Sequence, residues 1–289
     1  MKSNKNSPEG GKSGAGERIP GANAPDVKAQ KTGVPETTSP GVGARVPAGL
    51  FSGKKALVVG GSGGIGGALS RELGRAGAEV WVHGASSGER LEKTLADIRR
   101  NGGRAEGFLY AIDDPETGAK ALLERCPDPD ILVIAWGPFK QGALECMNAK
   151  DWIFLTNFNI ILPGILISSV LYDMIEKRWG RILLFGGTDT AAIRGFTTSA
   201  VYSAAKTALG VVARSVARRG GPFGVSCNVL CPGLTDTEYL DEEARAYNRA
   251  HYPEIPGPNP EELARAGVEI MAHSRLNGAI IPVDGGVIL

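Results

Sequence analysis

Short apolar runs alternate with longer amphipathic stretches along most of the chain, starting near Phe51. The runs are continuous rather than interrupted by polar residues, as in strands buried on both faces of a parallel sheet. Each is followed by a segment of helical periodicity, which predicts an α/β fold with helices on both faces of the sheet. The predicted strands are Lys55–Val59, Glu79–His83, Ala105–Tyr110, Asp130–Ala135, Arg181–Phe185 and Val225–Leu230. The predicted helices are Gly66–Ala76, Glu89–Asn101, Pro115–Arg125, Trp152–Lys177 and Ala200–Arg219.

Residues 1–50 differ from the rest of the chain in composition. They contain nine Gly, six Pro and no aromatic residue, so they cannot bury enough apolar surface to offset the entropy of ordering. They are mildly basic, and they lack the apolar segment of a secretory signal. We therefore predict a disordered tail at 1–50, with an interaction or targeting arm as the alternative, and a single domain at 51–289.

The overall composition excludes several classes of function. A hydrophobic content of 42% and a charged content of 22% are ordinary for a globular protein. The net charge of +1 predicts neither a nucleic acid partner nor an anionic membrane partner. The four cysteines form no CxxC pair and there are only three histidines, so we expect no metal site and a reducing cytoplasmic location. No run of 18 apolar residues occurs, and we expect no membrane span.

The first predicted strand ends in a glycine-rich turn, 57-LVVGGSGGIGGAL-69. Gly60, Gly64 and Gly66 allow the backbone to turn tightly and to approach a pyrophosphate closely. The helix that follows presents its free N–H groups to that anion. The strand, the turn and the helix together predict a dinucleotide site, in which Ser62 and Ile65 also take part.

The end of the second predicted strand bears on which dinucleotide is bound. An NAD site usually places an acid there for the adenosine ribose, whereas this chain has none until Glu89. Ser86, Ser87 and Arg90 are suited instead to a 2′-phosphate, which favours NADP(H) over NAD(H). The alternative is that the serines only cap the next helix.

Six motifs in order give the chain its resemblance to a known family, the short-chain dehydrogenases/reductases. The motifs are the glycine turn, Asp130-Ile-Leu-Val, Asn157 after Trp152, Tyr202-Ser-Ala-Ala-Lys206, Asn228-Val-Leu-Cys-Pro-Gly233 and Val283-Asp-Gly-Gly286. The resemblance extends from about Lys54 to the C-terminus. It implies a Rossmann-type, doubly wound and mostly parallel sheet of about seven strands in one domain, assembled as a tetramer or dimer.

The resemblance also implies catalytic roles. Tyr202 would exchange a proton with the substrate oxygen, and Lys206 would lower the pKa of the phenol and hold the nicotinamide ribose. Asn157 would anchor a water that connects Lys206 to solvent.

Further cofactor contacts are implied for two segments. Their residues are Ala135, Gly137, Pro232, Gly233, Leu234 and Thr237. Two departures from the family pattern stand beside them: Trp136 replaces a small residue, which places the local cofactor packing in question, and Ala111 replaces an acid that contacts adenine.

The family's catalytic serine is absent from its usual place. Counting forward from the predicted strand Arg181–Phe185 places it at Gly187, and counting back from Tyr202 places it at Asp189. Thr188 lies between these positions, and its hydroxyl can donate and accept as serine does. We therefore predict that Thr188 replaces the serine, with Thr190 as the second choice and an ordinary loop threonine as the alternative.

The resulting hypothesis is an NADP(H)-dependent enzyme that transfers hydride between the nicotinamide and a small-molecule carbonyl or secondary alcohol. Within the family the chain resembles the 3-oxoacyl-thioester reductases most. The alternative is a catalytically silent, nucleotide-binding regulatory or scaffold protein, which Gly187, Trp136 and Ala111 favour. Tyr239, Tyr247 and Tyr252 belong to the segment that would close the substrate pocket.

Overall fold

A computed structural model describes residues 47–240, 242–251 and 257–286 of the chain. Almost all of the predicted tail lies outside the described residues, as does Tyr252, so the tail and the boundary of the domain at residue 51 stay predictions.

Strands and helices alternate from residue 55 onward, as the apolar pattern predicts. The strands are β1 (Lys55–Val59), β2 (Glu79–Gly84), β3 (Arg104–Leu109), β4 (Ile131–Ile134), β5 (Gly180–Phe185), β6 (Val225–Pro232) and β7 (Ile280–Val283). The helices are α1 (Gly64–Arg75), α2 (Gly88–Arg100), α3 (Pro115–Arg125), α4 (Ala149–Thr156), α5 (Leu162–Glu176), α6 (Ala200–Gly220), α7 (Glu242–His251) and α8 (Pro260–Ala272). The apolar pattern alone did not predict α7, α8 or β7.

The seven strands form one parallel sheet in the order β3-β2-β1-β4-β5-β6-β7. The chain builds the sheet outward from β1 in one direction, returns to the centre, and continues from β4 in the other. This arrangement confirms the predicted Rossmann-type doubly wound fold. The adjacent carboxyl ends of β1 and β4 leave a crevice at the point where the direction changes.

Two hydrophobic cores lie on opposite faces of the sheet. In β1, Ala56 and Val58 belong to the first core, while Leu57 and Val59 belong to the second. The apolar residues of β1 therefore meet a core on each face of the sheet, which explains why the strands are apolar without alternation. Helices α1, α2 and α8 supply the first core, and helices α3, α5 and α6 supply the second.

A π-helical turn, Asn157–Ile161, joins α4 to α5 in one continuous helix. This stretch, Ala149–Glu176, is the one helix in the described part of the chain that is long and apolar enough to cross a membrane, and 44% of its most apolar window is buried inside the protein. Its side chains Leu155, Leu162 and Leu166 are completely buried. A core helix of a sheet protein has the same length and composition, so the stretch is weak evidence for a membrane span.

Candidate active site

A cleft of about 390 Å³ opens where the carboxyl ends of β1 and β4 meet. Ligands of doubly wound folds bind at this switch point. The predicted cofactor residues that line the cleft are Gly60, Ser62, Gly64, Ile65, Gly66, Ser86, Ser87, Ala135, Gly137 and Thr237. Its other lining residues are Gly63, Ala85, Arg90, Trp136 and Tyr239.

The glycine turn allows α1 to approach the end of β1 very closely. A Cβ atom on Gly66 would overlap the carbonyl oxygen of Gly60, so no other residue fits there without a backbone shift. Gly60 has a φ of 78°, which L-residues with a side chain rarely adopt. These two constraints hold the N-terminus of α1 over the crevice.

The buried His83 accepts a hydrogen bond from the glycine turn and so holds it in place. The Gly60 N–H donates to His83 Nδ1 at 3.2 Å, and His83 Nε2 lies 2.9 Å from the carbonyl oxygen of Tyr110. Because Nδ1 accepts, the ring proton is on Nε2 and is donated to Tyr110. Burial lowers the pKa of His83, which favours this neutral form. Sequence reasoning treated His83 only as a strand residue.

The amide of Gly64 shows that the turn can bind an anion. Its N–H donates to the carboxylate Oε1 of Glu238 at 2.8 Å. This oxygen stands where a phosphate oxygen at the start of α1 would be expected. The close backbone approach and the free helix donors therefore fit the pyrophosphate of a dinucleotide.

The end of β2 offers polar and basic groups to the cleft. Ser87 caps α2 by accepting from the Arg90 N–H at 3.3 Å, as the alternative interpretation predicted. Ser86 and Arg90 are exposed and line the same cleft. Glu89 is not one of the lining residues, so the described part of this strand end presents no acid to a ribose.

Trp136 lies in the wall of the cleft without filling it. Its ring packs edge to face on Phe158, with 5.4 Å between the ring centres. The Trp136 backbone lies against Gly60, where an added Cβ would be only 2.7 Å from Trp136 Cβ. The bulky residue is thus accommodated by the second core and by the glycine opposite.

Tyr202 and Lys206 lie one turn apart in the first part of α6. Lys206 is buried, and its Nζ donates to the carbonyl oxygen of Phe185 at 3.0 Å. The same Nζ is 5.6 Å from the centre of the Tyr202 ring. The structure therefore brings the phenol and the ammonium together at the carboxyl end of β5.

Burial controls the pKa values of this pair. Burial raises the pKa of Tyr202 to about 12, and Cys231 beside it adds to the rise. Burial also lowers the pKa of Lys206 to about 8, against a smaller opposite effect of Cys231. The lowered phenol pKa expected from Lys206 is thus not found, because desolvation of the phenolate by burial dominates the pKa of Tyr202.

Asn159, rather than the predicted Asn157, is the asparagine that approaches Lys206. A Cβ atom on Gly137 would overlap Asn159 Oδ1 and would lie 3.2 Å from Lys206 Nζ, so these two atoms face the same point. Asn157 is only partly buried and lies at the start of the π-helical turn. No spacing in the sequence distinguished the two asparagines, because both lie in the π-helical turn, where the phase of a regular α-helix does not apply.

The amide orientation of Asn159 follows from its partners. Its Nδ2 donates to the carbonyl oxygens of Pro138 at 2.9 Å and Leu155 at 3.0 Å. Two acceptors on one side require the nitrogen there, and the oxygen therefore points toward Lys206. Oδ1 is buried and has no hydrogen-bond partner among the described residues, so it can accept a hydrogen bond from an ammonium or a water.

Gly187 occupies the position beside the Tyr202 hydroxyl. A Cβ atom there would be 3.2 Å from the Tyr202 oxygen and 2.8 Å from its Cε1. The position of the family serine, counted forward from the strand Arg181–Phe185, therefore coincides with the residue beside the phenol. The position counted back from Tyr202 does not. Thr188 follows, and its hydroxyl donates to the carbonyl oxygen of Pro232 at 3.2 Å. Thr190 is buried, with its hydroxyl bonded to the Gly187 amide and carbonyl.

The segment after β6 connects Thr188 to the cleft. Gly233 donates its N–H to Val283 at 3.0 Å, and an added Cβ would be 2.7 Å from the Asp284 backbone. Pro232 accepts from Thr188, and Thr237 lines the cleft. Leu234 is partly buried between them.

Phe139 is a further residue of the site that sequence reasoning missed. Its ring packs edge to face on Tyr202 with 4.9 Å between the ring centres, and 57% of its surface is exposed. It thus forms an apolar wall beside the phenol.

Of the predicted pocket residues, Tyr239 lies over the glycine turn, while the side chain of Tyr247 lies outside the described residues. No metal-binding cluster of His, Cys, Asp or Glu occurs in the described ranges.

Comparisons with known proteins agree with this geometry. A family model described as short chain dehydrogenase matches residues 54–248. The 3-oxoacyl-[acyl-carrier-protein] reductase FabG of Pseudomonas aeruginosa is 32% identical over 82% of this chain and 98% of its own length. Gluconate 5-dehydrogenase of Gluconobacter oxydans is 30% identical over 82% of this chain and 95% of its own length.

A solved structure shares the fold as well. The 3-oxoacyl (acyl-carrier-protein) reductase of Agrobacterium tumefaciens C58 with NADP bound has a TM-score of 0.72 and 29% identity, over 82% of this chain and 95% of that one. The matched length, the sheet order and the position of Tyr202 and Lys206 are all consistent with this likeness. The chain belongs to the short-chain dehydrogenase family and is an NAD(P)-dependent oxidoreductase acting on CH–OH and C=O groups.

Proposed function

We propose that this protein is an NADP(H)-dependent oxidoreductase that interconverts a ketone and a secondary alcohol, with Tyr202 as the acid and base. The observation that carries the proposal is the placement of Tyr202 against Lys206 and Gly187 beside the dinucleotide cleft. When bound, the nicotinamide would supply or accept the hydride. The residues of this chain hold the substrate oxygen and move its proton.

Three groups would share the movement of that proton. The Tyr202 hydroxyl donates to the substrate oxygen during reduction and becomes a phenolate. Lys206 stabilises that phenolate by its charge and by its remaining donors, since its ammonium has three and Phe185 takes one. Asn159 replaces Asn157 as the residue that orients Lys206 and would anchor the water that connects Lys206 to solvent.

We propose Thr188, which directly follows Gly187 in the loop beside Tyr202, as the replacement for the family serine. Its present acceptor is the Pro232 carbonyl, so rotation about its χ1 angle would exchange one hydrogen bond for another. Thr190 is a weaker candidate, because its hydroxyl already donates to Gly187 and is buried. The remaining contacts proposed for the nicotinamide end are Pro232, Gly233, Leu234 and Thr237.

The preference for NADP(H) rests on the end of β2. Ser86, Ser87 and Arg90 line the cleft without an acid from this strand end, and a guanidinium is well suited to bind a phosphate. The related structure from Agrobacterium tumefaciens contains NADP. Ser87 can serve both as the helix cap and as a phosphate ligand, since a hydroxyl donates and accepts at once.

The relatives support a substrate with a carbonyl or secondary alcohol beside a polar group. They are named for a 3-oxoacyl thioester and for gluconate, and a 3-oxoacyl thioester is our first choice for this chain. We further propose a cytoplasmic homo-oligomer, either a tetramer or a dimer. Free cysteines at all four positions support the reducing compartment, and the exposed apolar side chains Ile153, Phe154 and Ile161 support self-association.

Tyr202→Phe tests the proposed function. We expect kcat/KM for a responsive ketone to fall by about 100-fold or more, since the acid is removed, while NADPH affinity measured by fluorescence stays the same. The control is the melting temperature, which should not change. Equal turnover by the wild type and the variant would contradict the mechanism, and no turnover by either on a broad carbonyl screen would favour the silent binding protein.

Asn159→Ala and Asn157→Ala form a matched pair of variants. We expect kcat to fall on the order of 10- to 100-fold in Asn159→Ala and to stay within about twofold in Asn157→Ala, because only Asn159 faces Lys206. The solvent deuterium isotope effect on kcat should rise in the first variant alone. A purely structural role would lower the melting temperature without changing that isotope effect, and a larger loss in Asn157→Ala would reverse the assignment.

Thr188→Val removes the loop hydroxyl and keeps the branched shape. We expect kcat to fall by about 100-fold, the effect of losing one donor to a developing oxyanion, and Thr188→Ser to retain the activity. Thr190→Val serves as the comparison. Because Thr190 is buried, we expect this variant to lower the melting temperature, and to lower kcat less than Thr188→Val does. Full activity of Thr188→Val would show that the reaction needs no hydroxyl from Thr188.

Titration with NADPH and NADH tests the cofactor preference. We expect NADPH to bind about tenfold or more tightly, because a charge-assisted contact with the 2′-phosphate contributes at least that factor. Arg90→Ala should reduce the preference by weakening NADPH alone, whereas Lys93→Ala, a cation on the same helix outside the cleft, should not. Tighter binding of NADH would contradict the preference for NADP(H) and leave the catalytic proposal standing.

A further inference from the structure

Glu238 makes a contact that the proposed reaction does not use. Its carboxylate accepts the Gly64 N–H at 2.8 Å, across 174 residues of sequence. A Cβ atom on Gly63 would overlap the same carboxylate oxygen, so the side chain lies directly on the glycine turn. The carboxylate is held at the positive end of the α1 dipole.

Tyr239, the next residue, holds the segment in the same place. Its ring lies over Gly64, where an added Cβ would be 3.0 Å from Cε2. Its hydroxyl oxygen lies against Gly63, where an added Cβ would be 2.6 Å away, and the Arg90 guanidinium lies 5.2 Å from the ring centre. Gly63, Gly64 and Arg90 are all lining residues of the dinucleotide cleft.

The Gly64 amide has one proton and donates it to one strong acceptor at a time. A pyrophosphate oxygen that takes this N–H must first displace the Glu238 carboxylate. The two groups cannot share the turn, since both are anions and repel each other at this distance. A residue of the chain and a phosphate therefore compete for one donor.

We propose that Glu238 is a built-in competitor of the cofactor pyrophosphate, and that it sets the affinity of the cleft for dinucleotides. The proposal rests on the proposed function in so far as the cleft binds a nicotinamide dinucleotide. Cofactor binding releases Glu238 and Tyr239 from the turn. The segment that follows Thr237 is thereby coupled to the presence of the cofactor.

The expected size of the effect follows from population arithmetic. The affinity for a ligand is reduced by the fraction of molecules whose site is open to it. If the Glu238 contact is formed in about 70 to 90% of molecules, removing it strengthens binding about 3- to 10-fold.

The experiment compares Glu238→Ala, Glu238→Asp and Glu243→Ala with the wild type. Aspartate keeps the charge but is one methylene shorter, so it does not reach Gly64. Glu243 is an exposed carboxylate in the same segment and controls for net charge. NADPH, ADP and adenosine are titrated separately, and hydrogen exchange of the Gly64 amide is followed by NMR without any nucleotide.

We expect Glu238→Ala and Glu238→Asp to bind NADPH and ADP about 3- to 10-fold more tightly. Glu243→Ala should not change these affinities, and adenosine, which has no phosphate, should bind equally to all four proteins. The Gly64 amide should exchange faster in both Glu238 variants than in the wild type, because it loses its acceptor. This last measurement needs no activity and no cofactor.

Three results would overturn the proposal. One is weaker NADPH and ADP binding by Glu238→Ala, which would make Glu238 a cofactor ligand. The second is an improvement in Glu238→Ala that Glu238→Asp lacks, which would indicate simple charge repulsion. The third is unchanged exchange at Gly64. If the wild type reduces a ketone but the Glu238 variants bind NADPH and ADP as the wild type does, the competitor role is rejected and the proposed function stands. If the variants bind ADP more tightly but no protein turns over a ketone, the proposed function is rejected and the competitor role stands.

Discussion

The close approach of α1 to the end of β1 is the constraint on which the site depends. The contact of Gly66 with the Gly60 carbonyl leaves no room for a side chain, and it places the first amides of the helix over the crevice between β1 and β4. His83 supports the turn by accepting the Gly60 N–H. A change at either point would move the helix, and the anion site would move with it.

The catalytic pair shows how strongly desolvation acts in a buried site. Lys206 is close to Tyr202, yet burial raises the pKa of the phenol to about 12 and lowers that of the ammonium to about 8. Both shifts follow from removing charge from water. The Asn159 oxygen faces the same point as the Lys206 ammonium, is buried, and has no hydrogen-bond partner among the described residues.

The dinucleotide cleft also contains an anion of the protein itself. Glu238 satisfies the Gly64 amide, whose N–H would otherwise be one of the unpaired donors at a helix start. The same property that suits the turn to a pyrophosphate thus suits it to a carboxylate. Affinity for the cofactor becomes a difference between two similar interactions, and the segment after Thr237 can respond to its presence.

The sequence by itself determined the class of the fold, the glycine turn and the Tyr202–Lys206 pair, because these depend on local spacing and on apolar periodicity. The continuous apolar strands specify a sheet buried on both faces, and a spacing of four residues puts Tyr202 and Lys206 on one face of a helix. Only the tertiary structure distinguished Asn159 from Asn157, placed Gly187 beside the phenol, and brought His83, Phe139 and Glu238 to the site. These placements depend on a π-helical turn, a loop of unusual length and contacts between distant segments, none of which leaves a periodic trace in the chain.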